Sequence, residues 1–165
     1  MYYSTHYESP IGTCLIVSDE KNIVGLWFLG QEYFCPLKEE IIEKEQPVLI
    51  HAKKWLDRYF AGKRPPLSEL SLAPKGSEFR QEVWNILCRI PSGSVMTYGE
   101  IAKEIAKKQG KSRMSAQAVG GAVAHNPISI IIPCHRVIGS NKSLTGYAGG
   151  IEKKLWLLNH EKAKI

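Results

Sequence analysis

The stretch "TYGEIAKEIAKKQGKSRMSAQAVGGAVAHN", Thr97–Asn126, reads as two short helices joined by a glycine-bearing turn. Thr97 and Glu100 have capping-box spacing, so the hydroxyl can cap the first helix while the glutamate reaches back to the cap residue. Ile101, Ala102, Ile105 and Ala106 follow at helical spacing and form an inward face. "QGKS" is a turn, and "SAQAVGGAVAHN" gives a second helix built almost wholly of small residues. The pattern is that of a helix-turn-helix with a longer turn than most.

Upstream, "SEFRQEVWNILCRI" places Phe79, Val83, Ile86, Leu87 and Ile90 on one helical face before "PSG" breaks it. "SLAPKGS", Ser71–Ser77, reads as a linker. The chemistry changes ahead of it. "MYYSTHYES", "GTCLIVS" and "NIVGLWFLG" are β-prone segments separated by the turn-forming "SPIG" and "DEKN". A helix from Pro47 follows, with Ala52, Leu56, Tyr59 and Phe60 in an apolar stripe. The expected fold is α+β. A small N-terminal antiparallel sheet with a helix spans residues 1–72, and a mostly helical domain with the helix-turn-helix spans 73–165.

Downstream, "IIIPCHRV", Ile130–Val137, reads as a buried strand that ends at Pro133, with Cys134 and His135 at its terminus. A thiol becomes a strong nucleophile as thiolate, and an imidazole base can generate it. Neighbours on an extended strand face opposite ways, so proton transfer between these two calls for a turn or a bridging water. "GSNKSLTGYAGG" is then a loop, and the closing helix "IEKKLWLLNHEKA" is expected to bury Ile151, Leu155 and Leu158.

The 165 residues are 44% hydrophobic and 23% charged, a globular composition. No apolar run has the length of a membrane span, and the N-terminus lacks the basic and apolar regions of a signal peptide. A cytoplasmic location is expected. Cys14, Cys35, Cys88 and Cys134 have no close spacing, so they read as free thiols and not as a disulfide frame or zinc ribbon; a zinc site assembled in space from Cys14, Cys35 and histidines is not expected, because no local ligand pair nucleates it. The net charge of +6 is compatible with nucleic-acid binding without requiring it.

"NPISIIIPCHRV", followed by "GYAGG" and "LLNHE", resembles the O6-alkylguanine-DNA alkyltransferases, strongly over Phe79–Glu161 and in general layout before that. The resemblance implies a ribonuclease H-like N-terminal domain and a self-alkylating DNA repair protein. Cys134 would take a methyl or larger alkyl group from O6 of guanine, with O4 of thymine a further candidate. His135 would accept the thiol proton through water, and Glu161 would orient the imidazole. Asn126 would hold the turn after the second helix, and Tyr98 would assist protonation and rotation of the nucleotide. Gln117, Arg113 and Ser115 would contact DNA, while Val137, Tyr147 and Ala148 would line the base pocket. The thioether formed cannot be hydrolysed under cellular conditions, so each molecule acts once. No metal or organic cofactor is implied. The implied partner is double-stranded DNA containing O6-alkylguanine, bound by a monomer through the minor groove with the damaged base flipped out.

The chain departs from the family pattern in places. Gln117 stands where many members have an arginine, which implies weaker or less salt-dependent DNA binding, with Lys107, Lys108, Lys111 and Arg113 as compensating phosphate contacts. Ser129 replaces a proline and Thr145 a glycine found in some relatives, which makes methyl the expected cargo. The alternative reading is a non-catalytic alkyltransferase-like lesion sensor, but such proteins lack the reactive cysteine. A plain helix-turn-helix regulator would leave "PCHR" and Glu161 without a role. A cysteine hydrolase would need an oxyanion hole and a direct thiol–imidazole contact.

Overall fold

The computed structural model describes residues 1–144 and 146–163, so Thr145 lies outside the described residues. The chain divides into two compact units, Met1–Lys75 with Pro127–Ile131, and Gly76–Asn126 with Ile132–Ile165.

In the first unit, β1 (Tyr2–Ser9), β2 (Gly12–Ser18) and β3 (Ile23–Phe28) form an antiparallel meander, as the turn chemistry predicts. A short β4 (Ile41–Glu43), not foreseen, pairs parallel to β1 and completes the order β3-β2-β1-β4. Every residue of β3 is buried, as its unbroken apolar run requires. The helix α1 (Pro47–Phe60) covers one face of the sheet and buries Leu49, Ala52, Trp55, Leu56 and Tyr59. Tyr7 on β1 donates its hydroxyl to Asp57 of α1 at 2.7 Å. Tyr2, Val17, Val24 and Trp27 cluster on the other face. Gly25 makes room there, since a Cβ on it would stand 2.0 Å from the Trp27 ring.

Two segments outside the meander lie along β3. Ser71–Ala73, read from sequence as linker, is pinned there: Ile23 N–H donates to Ser71 O at 2.8 Å, and Ala73 N–H donates to Ile23 O at 2.9 Å. Leu26 N–H donates to Pro127 O at 2.8 Å and its carbonyl accepts from Ser129 at 2.9 Å. The expected strand stops there. Ile131 N–H bonds Ser129 O at 2.7 Å around Ile130, whose φ of 68° gives a γ-turn of the rarer, strained kind.

In the second unit, α2 (Glu78–Cys88) and α3 (Tyr98–Lys108) pack with α4 (Ala116–Ala124). The four inward residues expected on α3 are all buried, and the Thr97–Glu100 capping box is formed. Ser77 caps α2, and Ser115 caps α4. The Trp84 indole N–H donates to Ala122 O at 2.8 Å, tying α2 to α4 through a buried bond. Ile132 and Pro133 continue the departure from a strand. Cys134 N–H bonds Ile132 O at 2.8 Å around Pro133, with φ −82° and ψ 66°, an inverse γ-turn. Cys134–Arg136 then forms a 3-10 turn.

Two short strands, β5 (Met96–Thr97) and β6 (Val137–Ile138), pair in parallel with Met96 opposite Val137. They bind the start of α3 to the end of the Cys134 turn. The closing helix α5 (Ile151–His160) is rotated from the expected phase. Ile151 and Leu155 are exposed, whereas Lys154, Leu157 and Leu158 are buried, with Glu161 buried next in the same stripe. The spacing is helical, but two of its four members are charged, so a search for apolar residues alone misplaces the face. Among the described residues, no helix is long and apolar enough to cross a membrane.

Candidate active site

The 3-10 turn puts Cys134 and His135 at consecutive positions of a tight bend, where the strand argument had set them on opposite faces. Both are buried, His135 completely. Its Nε2 lies 2.6 Å from Oε2 of Glu161, just past the end of α5. Arg136 clamps the same carboxylate, with Nε donating to Oε1 at 2.8 Å and Nη2 to Oε2 at 3.0 Å. Its Nη1 donates to the Ile90 carbonyl at 2.6 Å, so the guanidinium is held at both ends.

Burial would push the Glu161 carboxyl up, but hydrogen bonds and charge from His135 and Arg136 outweigh it and hold the group well below the carboxylate range. Burial holds His135 below its ordinary value, opposed by Glu161 and reinforced by the charges of Arg136 and Lys154. A carboxylate therefore faces a neutral imidazole. Nε2 carries the proton and donates it to Glu161, which leaves Nδ1 as a lone pair. Nδ1 is buried and has no hydrogen-bond partner among the described residues. It has the electronic form of a base in waiting.

Burial pushes the Cys134 thiol up. A hydrogen bond from the Asn126 side chain, the charge of Lys154 and its own backbone N–H act in the opposite direction without cancelling that rise. The thiol thus rests protonated among groups that favour its anion. Asn126 also donates from Nδ2 to the Ile132 carbonyl at 2.8 Å, bracing the inverse γ-turn from the end of α4. Lys154 is fully buried on α5, which packs on the Cys134 turn, and burial pushes it down to about 8.

Tyr98 is the first residue of α3 and is fixed to the Cys134 turn by the β5–β6 ladder one residue before it. Burial raises its phenol, and the Cys134 charge raises it further, which places the two side chains within electrostatic reach. Tyr98 also lines a cavity of about 600 Å³ with Gln117, Gly120, Ala124, Ser140 and Gly146. Tyr98 thus lies on that cavity's wall and within electrostatic reach of the Cys134 thiol. The α4 face is open: Ser115, Ala116, Gln117, Ala118 and Gly121 are exposed. A second cavity of about 550 Å³ lies between α3 and the inter-helix turn, rimmed by Lys103, Lys107, Lys111 and Arg113.

The structure brings Cys134, His135, Glu161, Asn126 and Tyr98 to one locality. Val137 is buried in β6, and its N–H is accepted by the Cys134 carbonyl, which keeps a second lone pair. Tyr147 is buried and Ala148 half-buried in the turn that enters α5. Gln117, Arg113 and Ser115 sit apart from the thiol on the helix-turn-helix surface. Sequence reasoning passed over Arg136 and Lys154. Arg136 was legible as the fourth residue of "PCHR". Lys154 had no local signal, because its neighbour Lys153 is only half-buried and of the same type.

Fold and site define a helix-turn-helix protein with a buried thiol beside a carboxylate-oriented imidazole. Family models match both parts. Residues 78–163 match the 6-O-methylguanine DNA methyltransferase DNA binding domain, and residues 1–74 match the ribonuclease-like domain of the same family. The chain is 41% identical to a methylated-DNA–protein-cysteine methyltransferase of Haemophilus influenzae, over 97% of this chain and 86% of that one. It is 43% identical to the constitutive enzyme of that name from Bacillus subtilis, over 98% and 96% of the two chains. The crystal structure of Mycobacterium tuberculosis OGT in complex with DNA superposes with a TM-score of 0.82 at 37% identity, covering 98% of this chain and 92% of that one. The chain belongs to the 6-O-methylguanine-DNA methyltransferase family.

Proposed function

We propose that this chain repairs DNA by moving a methyl group from O6 of guanine onto Cys134, irreversibly and once per molecule. The observation that carries the reading is the buried His135, whose Nε2 meets Glu161 at 2.6 Å and whose Nδ1 is unpartnered among the described residues, within the turn that bears the thiol.

The helix-turn-helix docks on double-stranded DNA, with the open small-residue face of α4 against the minor groove and the Lys107, Lys111 and Arg113 charges at phosphates. O6 of a paired guanine lies inside the stack, so the nucleotide rotates out, at a cost of about a few kcal/mol. Gln117 fills the gap. His135 Nδ1 takes the thiol proton through a water molecule, and the sulfur attacks the methyl carbon. The S–C bond forms as the C–O6 bond breaks, and the electron pair leaves on guanine. Tyr98 donates a proton to the departing base and recovers it from His135. Asn126 and Lys154 stabilise the thiolate while it exists. Val137, Tyr147 and Ala148 frame the base. A monomer working in the cytoplasm suits a thiol that must stay reduced.

Intact-protein mass spectrometry after incubation with duplex DNA containing O6-methylguanine tests this. One methyl group on Cys134, with uptake stopping at one equivalent, is expected. Cys134→Ala should bind the duplex and gain no mass. Tight lesion binding without mass gain by the unmodified protein would mark a sensor, and turnover beyond one equivalent would refute the mechanism.

A further inference from the structure

Tyr98 is held at three points. Its root is fixed by the Thr97 cap and the β5–β6 ladder. Its ring edge faces α4 at Gly120, where an added Cβ would stand 3.9 Å from Cε1, an ordinary contact. Its hydroxyl tip lies against Gly146, where an added Cβ would stand 2.8 Å from the oxygen and 3.8 Å from Cζ. Gly146 also has φ +81°, a conformation that side chains disfavour. The chain around it is tethered: Gly139 N–H bonds Ser143 O, and Gly150 N–H bonds Tyr147 O, both at 2.9 Å. A side chain at 146 would therefore displace the far end of Tyr98 more readily than it would move the loop.

We infer that Gly146 is a positioning residue for the reaction: its missing side chain is what allows the Tyr98 hydroxyl to rest where it can serve the departing base. The inference rests on the methyl-transfer reading. It separates two effects of filling position 146, namely backbone strain, which is independent of Tyr98, and collision with one oxygen atom, which is not.

A double-mutant cycle resolves them. Single-turnover methyl transfer is measured for the unmodified protein, Gly146→Ala, Tyr98→Phe and the pair. A misplaced catalytic group costs roughly 10- to 100-fold, so Gly146→Ala should slow transfer by about that factor when the hydroxyl is present. In the Tyr98→Phe background the nearest remaining atom is Cζ at 3.8 Å, so the same substitution should cost much less. The strain is common to both backgrounds and cancels. Equal losses in both backgrounds, or no loss with the hydroxyl present, would overturn the inference. Gly146→Asn, which tolerates a left-handed backbone and still carries a Cβ, repeats the cycle should the alanine variant fold poorly. The same proteins compared by thermal unfolding midpoint need no activity, and the substitution at 146 should again be better tolerated without the hydroxyl. Absence of transfer by the unmodified protein would count against the functional reading, whereas additive unfolding effects would count against Gly146 alone.

Discussion

His135 Nε2 and Glu161 Oε2 lie 2.6 Å apart with both side chains buried, and Arg136 grips the same carboxylate. Three consecutive residues of one bend thus supply a thiol, an imidazole and the guanidinium that clamps the carboxylate holding that imidazole. Glu161→Gln keeps the shape but removes the charge that fixes the imidazole tautomer, and leaves Arg136 facing a neutral amide. Transfer should fall by roughly 10²-fold or more, the scale of a lost general base, with DNA affinity little changed. Single-turnover kinetics alongside a binding isotherm check the split.

The same cluster makes stability sensitive to acid. His135 sits below its unfolded value and Glu161 below its own, so in both cases the unfolded chain binds protons more readily than the folded one. Stability therefore rises with pH. On lowering the pH it should begin to fall below about 6.5 as unfolded histidine protonates, and fall further below about 4.3 as unfolded glutamate does. Denaturant midpoints across this range should show the slope, and Glu161→Gln should flatten its acidic limb.

Lys154 offers a charge to the thiolate from inside α5. Lys154→Met retains most of the stem and removes that charge. Transfer should then slow below about pH 8, where the ammonium of the unmodified protein is charged and supports the thiolate. Above about pH 8 the unmodified protein should lose the same support as the ammonium deprotonates, so the two profiles should converge there.

Gln117 is exposed on α4 and uncharged. Gln117→Arg adds a cation to the face proposed to meet DNA. Affinity for an undamaged duplex should rise, and the slope of log K against log salt should steepen by about 0.9 if one more phosphate is neutralised. An unchanged slope would place this helix face away from the backbone.

The helix-turn-helix was readable from sequence because its information is local: a capping box, a run of inward residues at helical spacing, a serine cap. The meander was readable because alternating strands and turn residues are also local. The bend at Cys134 was not. Ile130–Ile132 is as apolar as a strand, and hydrophobicity does not distinguish a strand from two γ-turns buried around a proline. The phase of α5 was hidden because Lys154 and Glu161, two of the residues that fix it, are charged groups whose partners are distant in sequence. The β5–β6 pair is too short to carry any period. For the site, "PCHR" pointed to the thiol and imidazole that the structure places in one bend. The reason the imidazole is neutral, and the lysine whose charge reaches the thiol, emerge only once α5 is seen against that bend.

The β5–β6 ladder has one more consequence. Two residue pairs connect the root of α3 to the strand that follows the Cys134 turn, with no intervening loop to absorb movement. A duplex bearing on α3 should therefore alter the alignment of the thiol through this ladder. A free O6-methylguanine base, which applies no such load, should react sluggishly even where it fits, so that strand engagement itself acts as the trigger and the single-use sulfur is kept from being wasted on stray alkylated metabolites.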